Sequence, residues 1–154
     1  LYGTTTAVDQ QLDETGTAKY LHSMVVSGLS TETDYYFKVA AGDLTDDNQG
    51  SCYHFTTCGS GVGVPYTTYG QVLLEDGTSP AQSVIVHLDV SSSDASSHPL
   101  SSLTGSDGYW NLNLGNLKDA SSQQVFNYTT DDLITVRAEA GPDGFGQQAG
   151  QLDQ

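Results

Sequence analysis

Between residues 33 and 39, Thr33, Tyr35, Phe37 and Val39 alternate with Asp34, Tyr36 and Lys38. Successive side chains of an extended chain point to opposite faces, so a period of two predicts a strand with one buried face and puts Tyr35, Phe37 and Val39 in a core. The period returns at residues 53–57, in Val84, Val86, Leu88 and Val90 against Ile85, His87 and Asp89, and in Trp110, Leu112 and Leu114. Thr, Ser, Gly and Tyr are abundant, which suits pleated surfaces and disfavours helices. Residues 117–124 are the best candidate for a helical turn. The expected fold class is all-β.

Turn residues divide the alternating stretches. Gly28-Leu29-Ser30-Thr31-Glu32 forms a corner, from which Tyr35 is placed to reach back to the backbone near Leu29, with Leu29 in the core. Residues 41–50 read as a polar loop, after which residues 53–57 return to make a hairpin. The run 59–65 is Gly-rich and aperiodic, the character of a linker. This gives two modules, 1–58 and 69–154, joined by 59–68, and a length of 154 residues suits two short sandwiches. In the second module Asp76-Gly77 and Ser106-Asp107-Gly108 signal turns. Trp110 is the candidate core anchor. Further strands are expected at 124–128 and at 133–140, the latter with Ile134, Val136 and Ala138 inward. Residues 145–153 form a closing strand or a tail.

The first module resembles the C-terminal half of a fibronectin type III domain. The Gly28-Leu29 corner, then Thr33-x-Tyr35-x-Phe37-x-Val39, then Tyr53-x-Phe55-Thr56-Thr57 carry the resemblance. Leu1-Tyr2-Gly3-Thr4-Thr5 stands where a middle strand of that family would, so its first strands have no counterpart, and Ser30 and Thr31 replace a frequent Pro and Gly. Residues 69–140 resemble the carboxypeptidase-regulatory-like, or transthyretin-like (prealbumin-like), domains of bacterial surface proteins, through Gly70-x-Val72, Asp76-Gly77, Val84-x-Val86-x-Leu88 and Asp107-Gly108-Tyr109-Trp110-x-Leu112. These motifs are turns and inward faces. The resemblance implies two consecutive β-sandwich modules, with Leu29, Tyr35, Phe37, Val39, Val86, Leu88, Trp110 and Leu112 as structural core.

Four Lys plus Arg against 19 Asp plus Glu give a net charge of -15, which repels phosphate backbones and anionic lipid and makes for a self-repelling exterior. Nucleic acid is not an expected partner. No run of roughly 18 apolar residues is present, so no membrane insertion is expected in this segment. The chain opens at Leu1-Tyr2-Gly3 with no basic-then-apolar leader and reads as a mature or trimmed piece of a longer precursor.

Chemistry-bearing patterns are sparse. His22, His54, His87 and His98 lack the spacing of zinc ligands, so the peptidase activity in the family name is not expected to carry over, and His87 should face solvent. No Gly-x-Ser-x-Gly elbow occurs, and residues 91–97 read as a flexible serine loop open to O-linked sugar. Asp43, Asp46, Asp47 and Asn48 are weak calcium candidates, as are Asp131 and Asp132. Their number and spacing fall short of the about six to eight oxygens calcium takes. No metal or cofactor is expected. Cys52 and Cys58 flank an extended segment of about 20 Å, so a disulfide within the chain requires that segment to loop. Free thiols or a bond to another chain are the alternatives. Asn127-Tyr128-Thr129 is a glycosylation sequon on an expected strand. Lys118, in an expected loop, is not placed for an isopeptide bond.

Taken together, these readings predict a non-catalytic extracellular structural protein at the cell surface, a subunit or segment of a fibre, sheath or adhesin. It would contact copies of itself or other surface proteins and be completed by strand exchange at an open sheet edge. The alternative is a carbohydrate-binding or spacer module of a secreted hydrolase, in which tyrosines among Tyr2, Tyr20, Tyr36, Tyr66, Tyr69, Tyr109 and Tyr128 stack on a polysaccharide. Tyrosines exposed together on one sheet face are the feature that would favour it.

Overall fold

A computed structural model describes residues 1–15, 21–140 and 144–151. It divides into unit 1, Leu1–Ser60, and unit 2, Gly61–Gln154. The strands are β1 (Tyr2–Gly3), β2 (Asp34–Phe37), β3 (Val39–Ala41), β4 (Leu44–Asp46), β5 (Tyr53–Thr56), β6 (Thr67–Gln71), β7 (Ile85–Ser91), β8 (Leu100–Leu103), β9 (Tyr109–Asn113), β10 (Leu133–Glu139) and β11 (Phe145–Gln151). All pairings are antiparallel, and among the described residues there is no α-helix. The all-β class read from the alternation is what the chain adopts.

In unit 1 the sheet order is β1-β2-β5. The pairs Tyr2 with Phe37, Tyr35 with Phe55 and Phe37 with Tyr53 place five aromatic side chains on one face. Rings stack at 5.8 Å for Tyr35 and Phe55 and at 5.1 Å for Phe37 and Tyr53. The corner forms as its residues predict: the Ser30 N–H donates to the Tyr35 hydroxyl at 3.1 Å. Thr57 Oγ1 then locks both sides of it, donating to Ser30 O at 2.6 Å and accepting from Thr33 N at 2.9 Å. Leu29 is half-buried beside this corner.

Two expectations fail here. Val39 is not core but 47% exposed. The strand breaks at Lys38, whose N–H is taken by Leu1 O, and the chain continues as β3 in a separate hairpin with β4 around Gly42, where φ is +60°. The supposed polar loop 41–50 therefore contains a strand; threonine and the turn at Gly42 favour it although its side chains are exposed.

In unit 2 a four-stranded sheet, β11-β10-β7-β8, faces a two-stranded one, β6-β9. The alternation of β7 is realised fully: Val86, Leu88 and Val90 are completely buried and pack with Trp110, Leu114, Leu117 and Phe126, with Leu112 partly buried at the margin. Each such side chain contributes about 1.5–3 kcal/mol by leaving water. Glycine at position 70 makes room for the tryptophan, since a Cβ there would lie 2.8 Å from the Trp110 ring. Thr104 Oγ1 closes one end of β7, accepting from Val84 N and donating to Ala81 O, while Ser97 Oγ accepts from Val90 N at the other.

Three further expectations are corrected in unit 2. The linker ends at Ser60: Gly63 N donates to Gly115 O, Leu114 N donates to Tyr66 O, and residues 67–68 already belong to β6. Residues 124–128 form no strand, only a bridge from Val125 to Lys118, and the helical turn lies at Leu114–Asn116 instead of 117–124. There Asp119 gathers the N–H groups of Ser121 and Ser122, which favours a tight turn over either regular structure. Residues 91–97 form a hydrogen-bonded turn that leads toward β8, with Ser92 Oγ accepting from Ala95 N. Residues 145–151 form the closing strand. Residues 152 and 153 of that reading lie outside the described residues, as does Tyr20.

Candidate functional site

The strongest unsatisfied surface of unit 1 follows from its sheet. The other sheet of unit 1, β3-β4, makes no extensive contact with β1, β2 or β5, so among the described residues no second sheet packs over the aromatic face. What lies over it is an apolar groove of about 280 Å³, lined by Tyr2, Phe37 and Phe55 from the sheet and by Leu12, Met24 and Val26 from the connecting chain. Met24 is 46% exposed and Phe55 38%, whereas Tyr35 at the corner is 5% exposed. The opposite face is polar: Thr56 Oγ1 donates to Asp34 at 2.7 Å, and His54 Nε2 stands 3.3 Å from the same carboxylate. These two partners, the Thr56 hydrogen bond first, hold the Asp34 carboxyl below its ordinary range. The sheet is thus amphipathic with its apolar side only partly covered.

β5 is the last strand of that sheet. Thr57 N donates to Thr33 O, which makes the alternate residues His54 and Thr56 the ones whose backbone groups point away from β2. An edge with unpaired N–H and C=O groups beside an apolar face is a template for another strand.

The acidic loop of unit 1 uses its carboxylates internally. Asp46 accepts from the Tyr53 hydroxyl at 3.0 Å and from Asn48 N, and Asp47 accepts from Gly50 N at 2.9 Å. They cap a turn in which Asn48, Gln49 and Gly50 all have positive φ. The Asp46 contact also raises the Tyr53 phenol above its usual value. Asp43 is exposed and apart from these bonds. Asp132 is buried in a second turn, where its carboxylate accepts from Thr129 N at 2.8 Å, and Asp131 is exposed. No group of three or more His, Cys, Asp or Glu side chains is placed to hold a metal among the described residues.

Cys52 is a buried thiol that contacts Thr6 O at 3.7 Å, and Cys58 is half-buried. Strand β5 runs extended between them, so the loop that a Cys52 to Cys58 bond requires does not form. Asn127 is exposed in an irregular segment rather than on a strand. His87 is half-buried on the outer face of β7, hydrogen-bonded to Ser101 Oγ at 2.8 Å. Its neighbour across the sheet, Arg137, pairs with Asp89. Lys118 donates to the Gly61 carbonyl.

In unit 2 the narrow β6-β9 sheet leaves a seam of about 500 Å³, bordered by Gly70, Val72 and Trp110 on one side and Ile134, Val136 and Gly146 on the other. Sequence reasoning missed the groove-forming Leu12, Met24 and Val26 because none lies on a strand, so no periodicity marks them. Among the described residues no helix is long and apolar enough to cross a membrane. No known protein family, no characterised protein and no solved structure matches this chain.

Proposed function

We propose that this chain is a non-catalytic structural segment of an extracellular assembly, a fibre, sheath or adhesin, in which a neighbouring chain supplies an apolar strand to unit 1. The observation that carries this reading is the half-open aromatic face beside the outer edge of β5, which has no strand partner among the described residues. Apolar area left in water is a standing cost of about 25 cal/mol per Å², and a strand laid along β5 would recover it while satisfying the outward backbone groups of His54 and Thr56. The Tyr35 corner supports the resemblance of unit 1 to the C-terminal half of a fibronectin type III domain. The buried Trp110 against β7 supports that of unit 2 to a transthyretin-like surface module.

Light scattering on the purified chain, together with electron microscopy of the native material, tests this. Concentration-dependent association or ordered filaments, weakened by Phe55→Asp in the groove, are expected. A chain that stays monomeric at high concentration, with the unit 1 face fully protected from hydrogen exchange, would sink the reading.

A further inference from the structure

The β6-β9 sheet of unit 2 has an outer face that no core uses. Its register pairs Thr67 with Asn113, Tyr69 with Asn111 and Gln71 with Tyr109. Thr68, Gly70, Trp110 and Leu112 take the inner face, so these six side chains point outward. Tyr69 is 75% exposed and Tyr109 51%. They occupy diagonal positions on adjacent strands, a separation of about 7–8 Å that long aromatic side chains span. One flat ligand can therefore touch both.

The side chains on this face are neutral, and the nearest carboxylate, Asp107 in the turn at its end, accepts from Tyr109 N at 3.1 Å. Gln71 donates through Nε2 to Asp107 O at 2.9 Å, which holds its side chain along the sheet. Asn113 Oδ1 accepts from Tyr66 N and Gly115 N, so its orientation is set too. Asn111 is exposed between the tyrosines. In a chain of net charge -15, this outward sheet face carries two tyrosines, three amides and a threonine, and none of these six side chains is a carboxylate or an ammonium. Exposed aromatic faces contribute little to folding and offer apolar, slightly negative surfaces to C–H groups. Phosphate-bearing ligands would need cations that this face lacks. A neutral, hydroxyl-rich ring with one C–H face matches it: the ring stacks on tyrosine and its hydroxyls bond amides.

We propose that the outer face of the β6-β9 sheet binds a neutral polysaccharide, with Tyr69 and Tyr109 as stacking platforms and Gln71 and Asn111 as hydrogen-bonding partners. The site is separate from the unit 1 groove and does not depend on strand exchange.

The test is affinity electrophoresis of the full chain in native gels containing hydroxyethyl cellulose, galactomannan or the polyanion alginate. Retardation by at least one of the neutral polymers and none by alginate is expected. The Tyr69→Ala/Tyr109→Ala variant should lose about ten-fold or more in affinity, whereas Tyr69→Phe/Tyr109→Phe, which keeps the rings, should retain most of it. Both changes lie outside the core, so Trp110 emission and the melting temperature serve as the folding control. If the alanine variant melts without cooperativity, tyrosine difference absorption of the wild-type chain on adding the polymer replaces it, with Trp110 emission steady. Free migration in both neutral gels, equal retardation by alginate, retardation that survives loss of both rings, or an unperturbed tyrosine spectrum would each overturn the proposal.

Discussion

Units 1 and 2 are built from strands of the same alternating kind, yet they bury them differently. In β7 the inward residues Val86, Leu88 and Val90 have no exposure at all, because a second sheet carrying Trp110 closes over them. In β2 the inward Tyr35 is buried, but Phe37 is only half-buried and its neighbour Phe55 is 38% exposed. The difference is the number of layers. A period of two states that a strand has an inner face; it does not state that anything covers it.

The largest effect should come from truncating a covered position. Leu88→Ala should destabilise unit 2 by about 2–5 kcal/mol, the range for deleting a buried leucine. Trp110, the single tryptophan, sits in the same cluster and reports this transition by its emission in urea. The matching truncation in unit 1, Phe55→Ala, should cost about 1 kcal/mol in the isolated chain, because part of the ring is already in water. Hydrogen exchange resolved by mass spectrometry separates the two units. Equal losses would show that the unit 1 face is covered after all and would break the comparison.

Tyr35→Phe addresses the one well-closed point of unit 1. It removes the hydroxyl that accepts from Ser30 N and should cost about 0.5–1.5 kcal/mol, the net contribution of one hydrogen bond. Faster exchange is expected at Ser30 and at Thr33, with unit 2 unchanged. A still smaller effect belongs to Val39→Ser, which should stay within about 0.5 kcal/mol, as an exposed surface substitution does. A larger loss in denaturant titration would restore Val39 to the core that its alternation suggested.

How much could be read from residues follows the same line. The Tyr35 corner, the β7 face, Trp110 and the turn at Gly108 were legible because each depends on local spacing. For Gly108, φ is +76° and a Cβ would meet Val72 O at 2.5 Å, so only glycine fits. Val39 misled because alternation continues through a strand break set by a distant partner, Leu1 O taking the Lys38 N–H. The hairpin partner β4 and the β8 strand were missed because Leu44-Thr45-Asp46 and Leu100-Ser101-Ser102-Leu103 are short and mostly polar; pairing defines them, and pairing is nonlocal. Of the acidic candidates, Asp46, Asp47 and Asn48 meet in one turn while Asp43 stands apart, and the capping of residues with positive φ is backbone geometry that spacing does not reveal. Tyr69 and Tyr109 were two names among seven tyrosines until register put them on one outward face.

The smallest effect expected concerns acid. Asp76 accepts from Ser79 Oγ at 2.5 Å, from Ser79 N at 2.7 Å and from Thr78 N at 2.8 Å, and these bonds, the serine hydroxyl first, lower its pKa from 3.8 to about 2. The ionised form is favoured in the folded chain, so its stabilisation is fully present above the unfolded value near 3.8 and is lost as pH falls through about 2. Asp119 behaves in the same sense, held low by Ser121 and Ser122, so both turns of unit 2 weaken together in acid. In unit 1 only Asp34 is clearly lowered among the described residues. Asp76→Asn should therefore melt lower than the wild type at neutral pH, with the gap closing toward pH 2. The carboxylate is solvent-exposed, which keeps the gap small. A gap that stayed constant across the titration would assign the loss to the amide's altered hydrogen bonding instead of to charge, and would remove acid sensitivity as a distinction between the units.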